Sequence, residues 1–247
     1  MKVLINGCNG KMGQEVAKQI RSMEDIDVLC GVDKTDSGDN IFPVFTNIHD
    51  IDLIPDVIID FSIPIATFNI LEFAKKNSIP IVIATTGFSD KELEKISETS
   101  KKIPVFRSAN MSYEINLMSK IVCEIANKLR DADIEIVETH HNRKVDSPSG
   151  TALLLANDIN KALDNEKEFV FDRHSKREAR NKREIGISSI RGGTEVGKHS
   201  VIFFGDNESF EITHNCTSRS VFANGAIKAA KFLEHKAPGL YNMNDLL

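Results

Sequence analysis

Cysteine is scarce in this 247-residue sequence: Cys8, Cys30, Cys123 and Cys216 are widely scattered, with no CxxC spacing. That pattern offers neither a zinc site nor a disulfide framework; no metal is expected, and reduced thiols of a cytosolic protein fit it better. Long apolar runs are lacking as well, and none approaches the length that spans a bilayer. The opening MKVLINGCNGKMG has no apolar signal core followed by a small-residue cleavage site, so the expected setting is the cytoplasm, without a membrane partner. Nor is there an excess of basic charge. A net charge of -5 gives no sign of a protein built around nucleic acid, whose phosphates call for a basic surface. Any acidic small molecule must therefore be captured by local cations. No internal repeat or low-complexity linker occurs. The shares of hydrophobic and charged residues, 41% and 27%, are those of a soluble globular protein, and the length suits one large domain or two modest ones.

What is present reads first as an alternation. KVLING is a β-branched and aliphatic run ending in glycine, and KMGQEVAKQIRSM repeats apolar residues at helical spacing through Met12, Val16, Ile20 and Met23. DVLCGVD closes on Asp33. Then come the strand DVIIDFS, the helical IATFNILEFAKKN, the strand IPIVIATTG, the helical DKELEKISETSKK and the strand IPVFRSAN. Strands alternating with helices predict an α/β, parallel sheet wound by crossover helices. After residue 110 the pattern changes. A long amphipathic helix is predicted over about residues 114–129, with Ile115, Met118, Ile121, Val122 and Ile125 on one face. A strand, ADIEIVETHH, and a further helix follow; residues 164–184 read as charged and irregular. EIGISSIRGG and HSVIFFGDNESFEITHN read as antiparallel strands, one pair a hairpin around Gly-Asp-Asn, and SVFANGAIKAAKFLEH as a closing helix. The second half is thus α+β.

INGCNGKMG places Gly7, Gly10 and Gly13 between the first strand and first helix. Glycine permits the tight turn and a close approach of a diphosphate, while the helix start offers free N–H groups and the positive end of a dipole. The spacing is G-x-x-G-x-x-G, not the commoner G-x-G-x-x-G. Asp33, ending the second strand, suits an adenosine ribose and favours NADH; Lys34 could meet a 2′-phosphate, so NADPH stays open. ATTGF and SANMS lie where strand carboxyl ends should meet the same dinucleotide.

The stretch ETHHNRKVDSPSGTALLLAN crowds charge ahead of a helix start at Ser149-Gly150-Thr151. The first-turn N–H groups can hold a carboxylate, Lys144 adds a full positive charge, and His140 or His141 could deliver a proton. An anion hole, a cation and an imidazole together make a site for reducing a carboxylate-bearing substrate.

ETHHNRKVDSPSGTA closely resembles the E-x-H-H-x-x-K-x-D-x-P-S-G-T-A signature of the 4-hydroxy-tetrahydrodipicolinate reductase family, historically dihydrodipicolinate reductase, of the bacterial diaminopimelate–lysine pathway. GCNGKMG, DFSIP, ATTGF, SANMSYEINL, IGISSIRGG and EITHNCTSRSVFANGAIKAA resemble further segments of that family, so the likeness covers nearly the whole chain. It implies a Rossmann-type dinucleotide-binding domain over residues 1–109, completed by 217–247, and a mixed-sheet domain over 110–216 that binds substrate and makes a homotetramer. It implies reduction of a small dicarboxylate by NADH or NADPH, with His140 as proton donor and Lys144 as a second catalytic residue, electrostatic or acidic. His141, Lys144, Ser149, Gly150 and Thr151 would hold the carboxylates, with Arg191 a further candidate. Cofactor contacts would come from Gly7, Cys8, Asn9, Gly10, Lys11, Met12, Asp33, Ala84, Thr85, Thr86, Ser108, Ala109, Asn110 and Met111. The chain departs from the family at Glu114, where a hinge glycine is usual, and at Ser147, where alanine is usual.

Rival readings need other features. A semialdehyde dehydrogenase needs a nucleophilic cysteine beside a histidine, and Cys8 and Cys123 are poorly placed for that. A dinucleotide-binding redox sensor would not need the histidine–lysine block. A nucleic-acid binder would have to use RHSKREARNKR, which contains Glu178 and no interleaved aromatics.

Overall fold

The computed structural model describes residues 1–174 and 176–247; Ser175, within the basic stretch 173–183, lies outside the described residues. Two compact units form, one from Met1–Tyr113 with Arg219–Leu247, the other from Glu114–Ser218.

In the first unit the chain runs β1 (Lys2–Asn6), α1 (Lys11–Ile20), β2 (Asp27–Val32), β3 (Val44–Phe45), β4 (Val57–Asp60), α2 (Pro64–Asn77), β5 (Ile81–Ile83), α3 (Asp90–Ser100) and β6 (Pro104–Arg107). The strands pair in parallel in the order β3-β2-β1-β4-β5-β6. Each central strand is apolar on both faces, as a sheet covered on both sides requires. Val3 and Ile5 join a core with Val16 and Ile20 of α1, whereas Leu4 between them joins Ile70 and Leu71 of α2 and Ile96 of α3. Local chemistry sets the helix ends. Proline stands at the first turn of α2 and Ser78 ends it in the left-handed region. A reciprocal Ser89–Glu92 capping box opens α3. The strand order reverses between β1 and β4, so their carboxyl ends frame the crevice in which open sheets of this type bind ligands.

The second unit holds α4 (Tyr113–Lys128, its first residue still in the first unit), β7 (Asp133–His140), α5 (Gly150–Ala162), β8 (Glu168–Val170), β9 (Glu184–Arg191), β10 (Gly197–Phe204) and β11 (Ser209–Cys216). The sheet order is β11-β10-β7-β9-β8, and the sheet is mixed. β10 is antiparallel to β7 and β11, closing the expected hairpin at Gly205–Glu208 with Asn207 in the left-handed region. β9, read above as antiparallel, runs parallel to β7 and β8. The crossover through α5 between β7 and β9 explains this: a parallel partner needs a long connection, and this one supplies it.

Helices α4 and α5 cover one sheet face, with Met118, Val122, Leu155 and Ile159 against Ile134, Ile136, Ile187, Val201 and Phe203. Ile121, expected on the buried stripe of α4, is 39% exposed. At 100° per residue it falls roughly 120° from Ile115, outside the stripe of Ile115, Met118, Ser119, Val122 and Ala126. The stretch read as irregular contains β8. Three of its basic residues are committed to acids of the same unit: Arg180 bonds Asp133 and Glu135, while Arg173 and Lys176 both reach Glu184. These cations are not a free nucleic-acid surface.

The chain then completes the first sheet. α6 (Ser220–Leu233) packs Ala223, Ala226, Ile227 and Ala230 into the core that holds Val3, Ile5 and Phe106, and β12 (Gly239–Tyr241) adds a parallel edge to β6. Small residues let α6 approach closely. A Cβ at Gly225 would stand 1.7 Å from the Met111 carbonyl oxygen, a backbone atom that cannot rotate away. Gly225→Ala is expected to lower stability by about 1–3 kcal/mol, read as a lower urea midpoint; an unchanged midpoint would contradict the contact.

Candidate active site

The period of two along β7 puts Glu138 and His140 on one face of the sheet, the face that carries the helices. Strand register brings His199 of β10 opposite Glu138, and Arg191 of β9 opposite His140. The start of α5 closes the group through Ser149. Glu138 is wholly buried. His140 Nδ1 lies 2.6 Å from its Oε2; Arg191 donates through Nη1 to Oε2 at 2.8 Å and through Nη2 to Oε1 at 2.7 Å; Ser149 N donates to Oε1 at 3.1 Å. Burial alone would raise the Glu138 pKa, but the hydrogen bonds from Arg191, Ser189, His140 and Ser149 outweigh it and bring the carboxyl from 4.5 down to about 2.

His199 shares a 2.9 Å hydrogen bond between Nε2 and Ser149 Oγ, and its ring meets His140 edge to face, centroids 5.1 Å apart. Burial pushes the His199 pKa down to about 4, with His140 adding to the depression, so this imidazole is neutral at neutral pH. Ser149 also caps α5, accepting from Ala152 N at 3.1 Å. Its hydroxyl is therefore engaged and buried, and α5 opens at Gly150 and Thr151 with the positive end of its dipole. His141 donates its backbone N–H to Glu195 O, Lys144 donates its own to His141 O, and Lys144 Nζ pairs with Asp146 Oδ1 at 2.8 Å.

Arg191, expected as a further candidate for the substrate carboxylates, donates through its terminal nitrogens to both Glu138 oxygens, to Ile190 O and to Asp146 O. Every N–H on those two nitrogens is taken, so the guanidinium serves as the counter-ion of Glu138, while its buried Nε has no hydrogen-bond partner among the described residues. The structure thus joins His140, Ser149 and Arg191 in one network, and Lys144 attaches to it through Asp146.

In the first unit, Gly7 turns the chain after β1 at φ +82°, and a Cβ there would meet Phe61 O at 2.8 Å. A Cβ at Gly13 would stand 2.2 Å from Gly7 O. Gly10 caps α1 without a side chain, leaving the Lys11 and Met12 end of the helix open to an external anion. Asp33 accepts from Asn9 N and Lys34 N, each at 2.8 Å, so it anchors the glycine loop while each oxygen keeps a second lone pair. A cleft of about 930 Å³ opens here, lined by Gly7, Gly10, Asp33, Lys34, His49 and Phe61 among others, room enough for a nucleotide. These features fit a dinucleotide.

Several other expected cofactor contacts are turned inward. Cys8 packs its sulfur over Gly31, and burial with the nearby Asp33 carboxylate raises its pKa to about 12. Ala84 and Met111 are buried. Thr85 donates to Asp60 Oδ2 and accepts from Ser62 N. Ser108 donates to Asn110 O, while Thr86 and Ala109 are exposed. The buried side chains of Cys8, Ala84, Thr85 and Met111 leave mainly backbone to offer a ligand, whereas Thr86 keeps an exposed hydroxyl. The sequence reading assigned no role to Glu138, His199 or the buried Asp60, which accepts from Asn6, Ser62, Thr67 and Thr85. Glu138 was detectable, lying two residues before His140 on a strand. His199 was not, since only cross-strand register brings it there.

Because its pKa is depressed, Glu138 contributes stability that is full above pH 4.5 and lost as pH falls through about 2, a difference of roughly 3 kcal/mol. Arg191→Met is expected to cost about 3–5 kcal/mol at neutral pH and to flatten that acid limb, as read from urea unfolding at a series of pH values. An acid limb as steep as in the native protein would contradict the assignment.

Family models for dihydrodipicolinate reductase match the chain over its length, the amino-terminal one at residues 1–111 and the carboxyl-terminal one at 114–247. The 4-hydroxy-tetrahydrodipicolinate reductase of Caldanaerobacter subterraneus subsp. tengcongensis is 50% identical over 247 residues, covering 100% of this chain and 98% of that protein. The enzyme of the same name from Clostridium tetani is 47% identical, over 100% of this chain and 97% of the relative. A dipicolinate-bound dihydrodipicolinate reductase from a Paenisporosarcina species superposes with a TM-score of 0.84 at 26% identity, covering 100% of this chain and 99% of that one. On this sequence, this fold and these matches, the chain belongs to the 4-hydroxy-tetrahydrodipicolinate (dihydrodipicolinate) reductase family.

Proposed function

We propose that this family member reduces 4-hydroxy-tetrahydrodipicolinate to tetrahydrodipicolinate in diaminopimelate and lysine biosynthesis, using NADH or NADPH, as a cytoplasmic homotetramer. The observation that carries the reading is the Glu138-anchored His140 beside the start of α5. Residues 1–109 with 217–247 serve as the dinucleotide-binding domain, and 110–216 as the substrate-binding and tetramerisation domain.

When bound, the reduced nicotinamide supplies a hydride to the substrate ring. The chain's own part is to hold the dicarboxylate and to supply a proton. His140 donates from Nε2, the ring edge that Glu138 leaves unengaged; a Cβ at Gly197 would crowd that nitrogen at 3.0 Å. Lys144 exchanges Asp146 for a substrate carboxylate, and His141 with the amides at Gly150 and Thr151 holds the anionic groups. Ser149 acts as the cap that fixes those amides. A dicarboxylate substrate is in keeping with the dipicolinate bound by the Paenisporosarcina relative.

The glycine loop from Gly7 to Met12 cradles the diphosphate. The Asp33 carboxylate faces the adenosine ribose and the exposed Lys34 suits a 2′-phosphate, which supports use of both nicotinamides. Self-association finds support in the sheet face opposite α4 and α5, where Ile190 is 51% and Phe204 43% exposed. A cysteine-dependent aldehyde oxidation is disfavoured, since burial lifts the thiols of Cys8 and Cys123 to about 12 and about 11, far from a thiolate at neutral pH.

Oxidation of NADH and NADPH is measured in parallel with freshly generated 4-hydroxy-tetrahydrodipicolinate, and turnover is expected with both. His140→Ala should lower kcat by about 10²–10⁴-fold while leaving cofactor affinity unchanged. Undiminished turnover would remove His140 from the proton-donor role.

A further inference from the structure

We propose that Glu138 is the positioning residue that fixes which nitrogen of His140 carries the exchangeable proton, and that the same carboxylate seats the start of α5. The inference rests on the reading of His140 as the proton donor and deepens it. Around Glu138 the groups whose roles are certain can only donate: the Arg191 guanidinium and the Ser149 amide. A carboxylate flanked in this way has no place for a proton of its own. His140 Nδ1, 2.6 Å away, must then carry the hydrogen it shares with Oε2. That holds for the neutral ring and for the charged one, so the proton that comes and goes belongs to Nε2.

The surroundings keep the ring from turning over. His199 stands edge to face against it, itself tied to Ser149 Oγ, and Gly197 lies beside Nε2 where any larger residue would crowd that nitrogen. Turning the imidazole would strip Glu138 of a short bond and place a carbon against a buried anion. Ser149 N sits on the other oxygen of the same carboxylate, eleven residues along the chain from Glu138. Imidazole and helix start therefore share one anchor. A displacement of Glu138 moves the proton donor and the amides that follow Ser149 together, which gives a physical reason for the spacing of the block from residue 138 to 151.

Glu138→Gln tests this with little change of shape. If the amide nitrogen replaces Oε1, it faces two donors, Arg191 Nη2 and Ser149 N. If it replaces Oε2, it faces Arg191 Nη1 and can meet His140 only after the ring has moved its hydrogen to Nε2. The full-length protein labelled with ¹⁵N-histidine is examined by multiple-bond ¹H–¹⁵N spectra above the titration of the ring, with the His140 signal assigned through His140→Asn. The native protein should show His140 as the Nδ1–H tautomer, and Glu138→Gln should show Nε2–H or a mixture. Turnover should fall by about 10²–10⁴-fold, mainly in kcat and with cofactor affinity unchanged, and Glu138→Asp should recover part of it. A native His140 in the Nε2–H form overturns the proposal even if the variant fails to fold. So does a folded Glu138→Gln that keeps both the Nδ1–H tautomer and native kcat. A native protein that shows Nδ1–H yet reduces no substrate sinks the reductase reading and leaves the tautomer assignment standing.

Discussion

The Glu138–Arg191 ion pair is the contact from which the geometry of the second unit can be reconstructed. A carboxylate wholly out of solvent would be costly on an apolar sheet face without a cation and hydrogen bonds on both oxygens. Arg191 supplies the cation from the neighbouring parallel strand, and the forked guanidinium fits the carboxylate on two parallel bonds. The other two N–H groups on its terminal nitrogens reach Ile190 O and Asp146 O, which ties the loop carrying Lys144 to the same centre. Burial and pairing thus act together: the ion pair is satisfied only if β7, β9 and the approach to α5 are all in place.

The first unit uses a buried carboxyl group differently. Asp60, at the end of β4, has no cationic partner among its hydrogen bonds; Asn6, Ser62, Thr67 and Thr85 surround it with neutral donors. Burial consequently raises its pKa despite those bonds, opposite to Glu138. Both groups sit at strand carboxyl ends and hold loops that the sequence marks as functional. Asp60 ties the ends of β1, β4 and β5 to the first turns of α2, so the loops at residues 61–63 and 84–86 share one support.

Much of this was legible in the residues. The alternation of apolar strands with helical spacing dictates a parallel sheet, and the glycine spacing after KVLIN places a tight turn before a helix start, as Gly7 and Gly10 bear out. The block from Glu138 to Thr151 was legible as one cluster because its residues are local in sequence, and the bonds of Glu138 to His140 and Ser149 join it. What escaped was set by register and burial. The direction of β9 depends on a crossover, not on the composition of EIGISSIRGG. The partner of Arg191 also escaped, because a sequence shows a cation but not the buried anion it neutralises. Cys8 and Thr85 belong to loops expected to meet the cofactor, yet their side chains turn toward Gly31 and Asp60, a choice made by packing.

The central claim is that the amides opening α5 and the Nε2 edge of His140 face one dicarboxylate. Titration of ¹⁵N-labelled protein, saturated with oxidised nicotinamide dinucleotide, with pyridine-2,6-dicarboxylate measures this directly. The account predicts the largest shifts at the backbone amides of Gly150 and Thr151 and at the His140 ring, saturating together at one ligand per chain. Saturable binding that leaves residues 140–151 unshifted would contradict it.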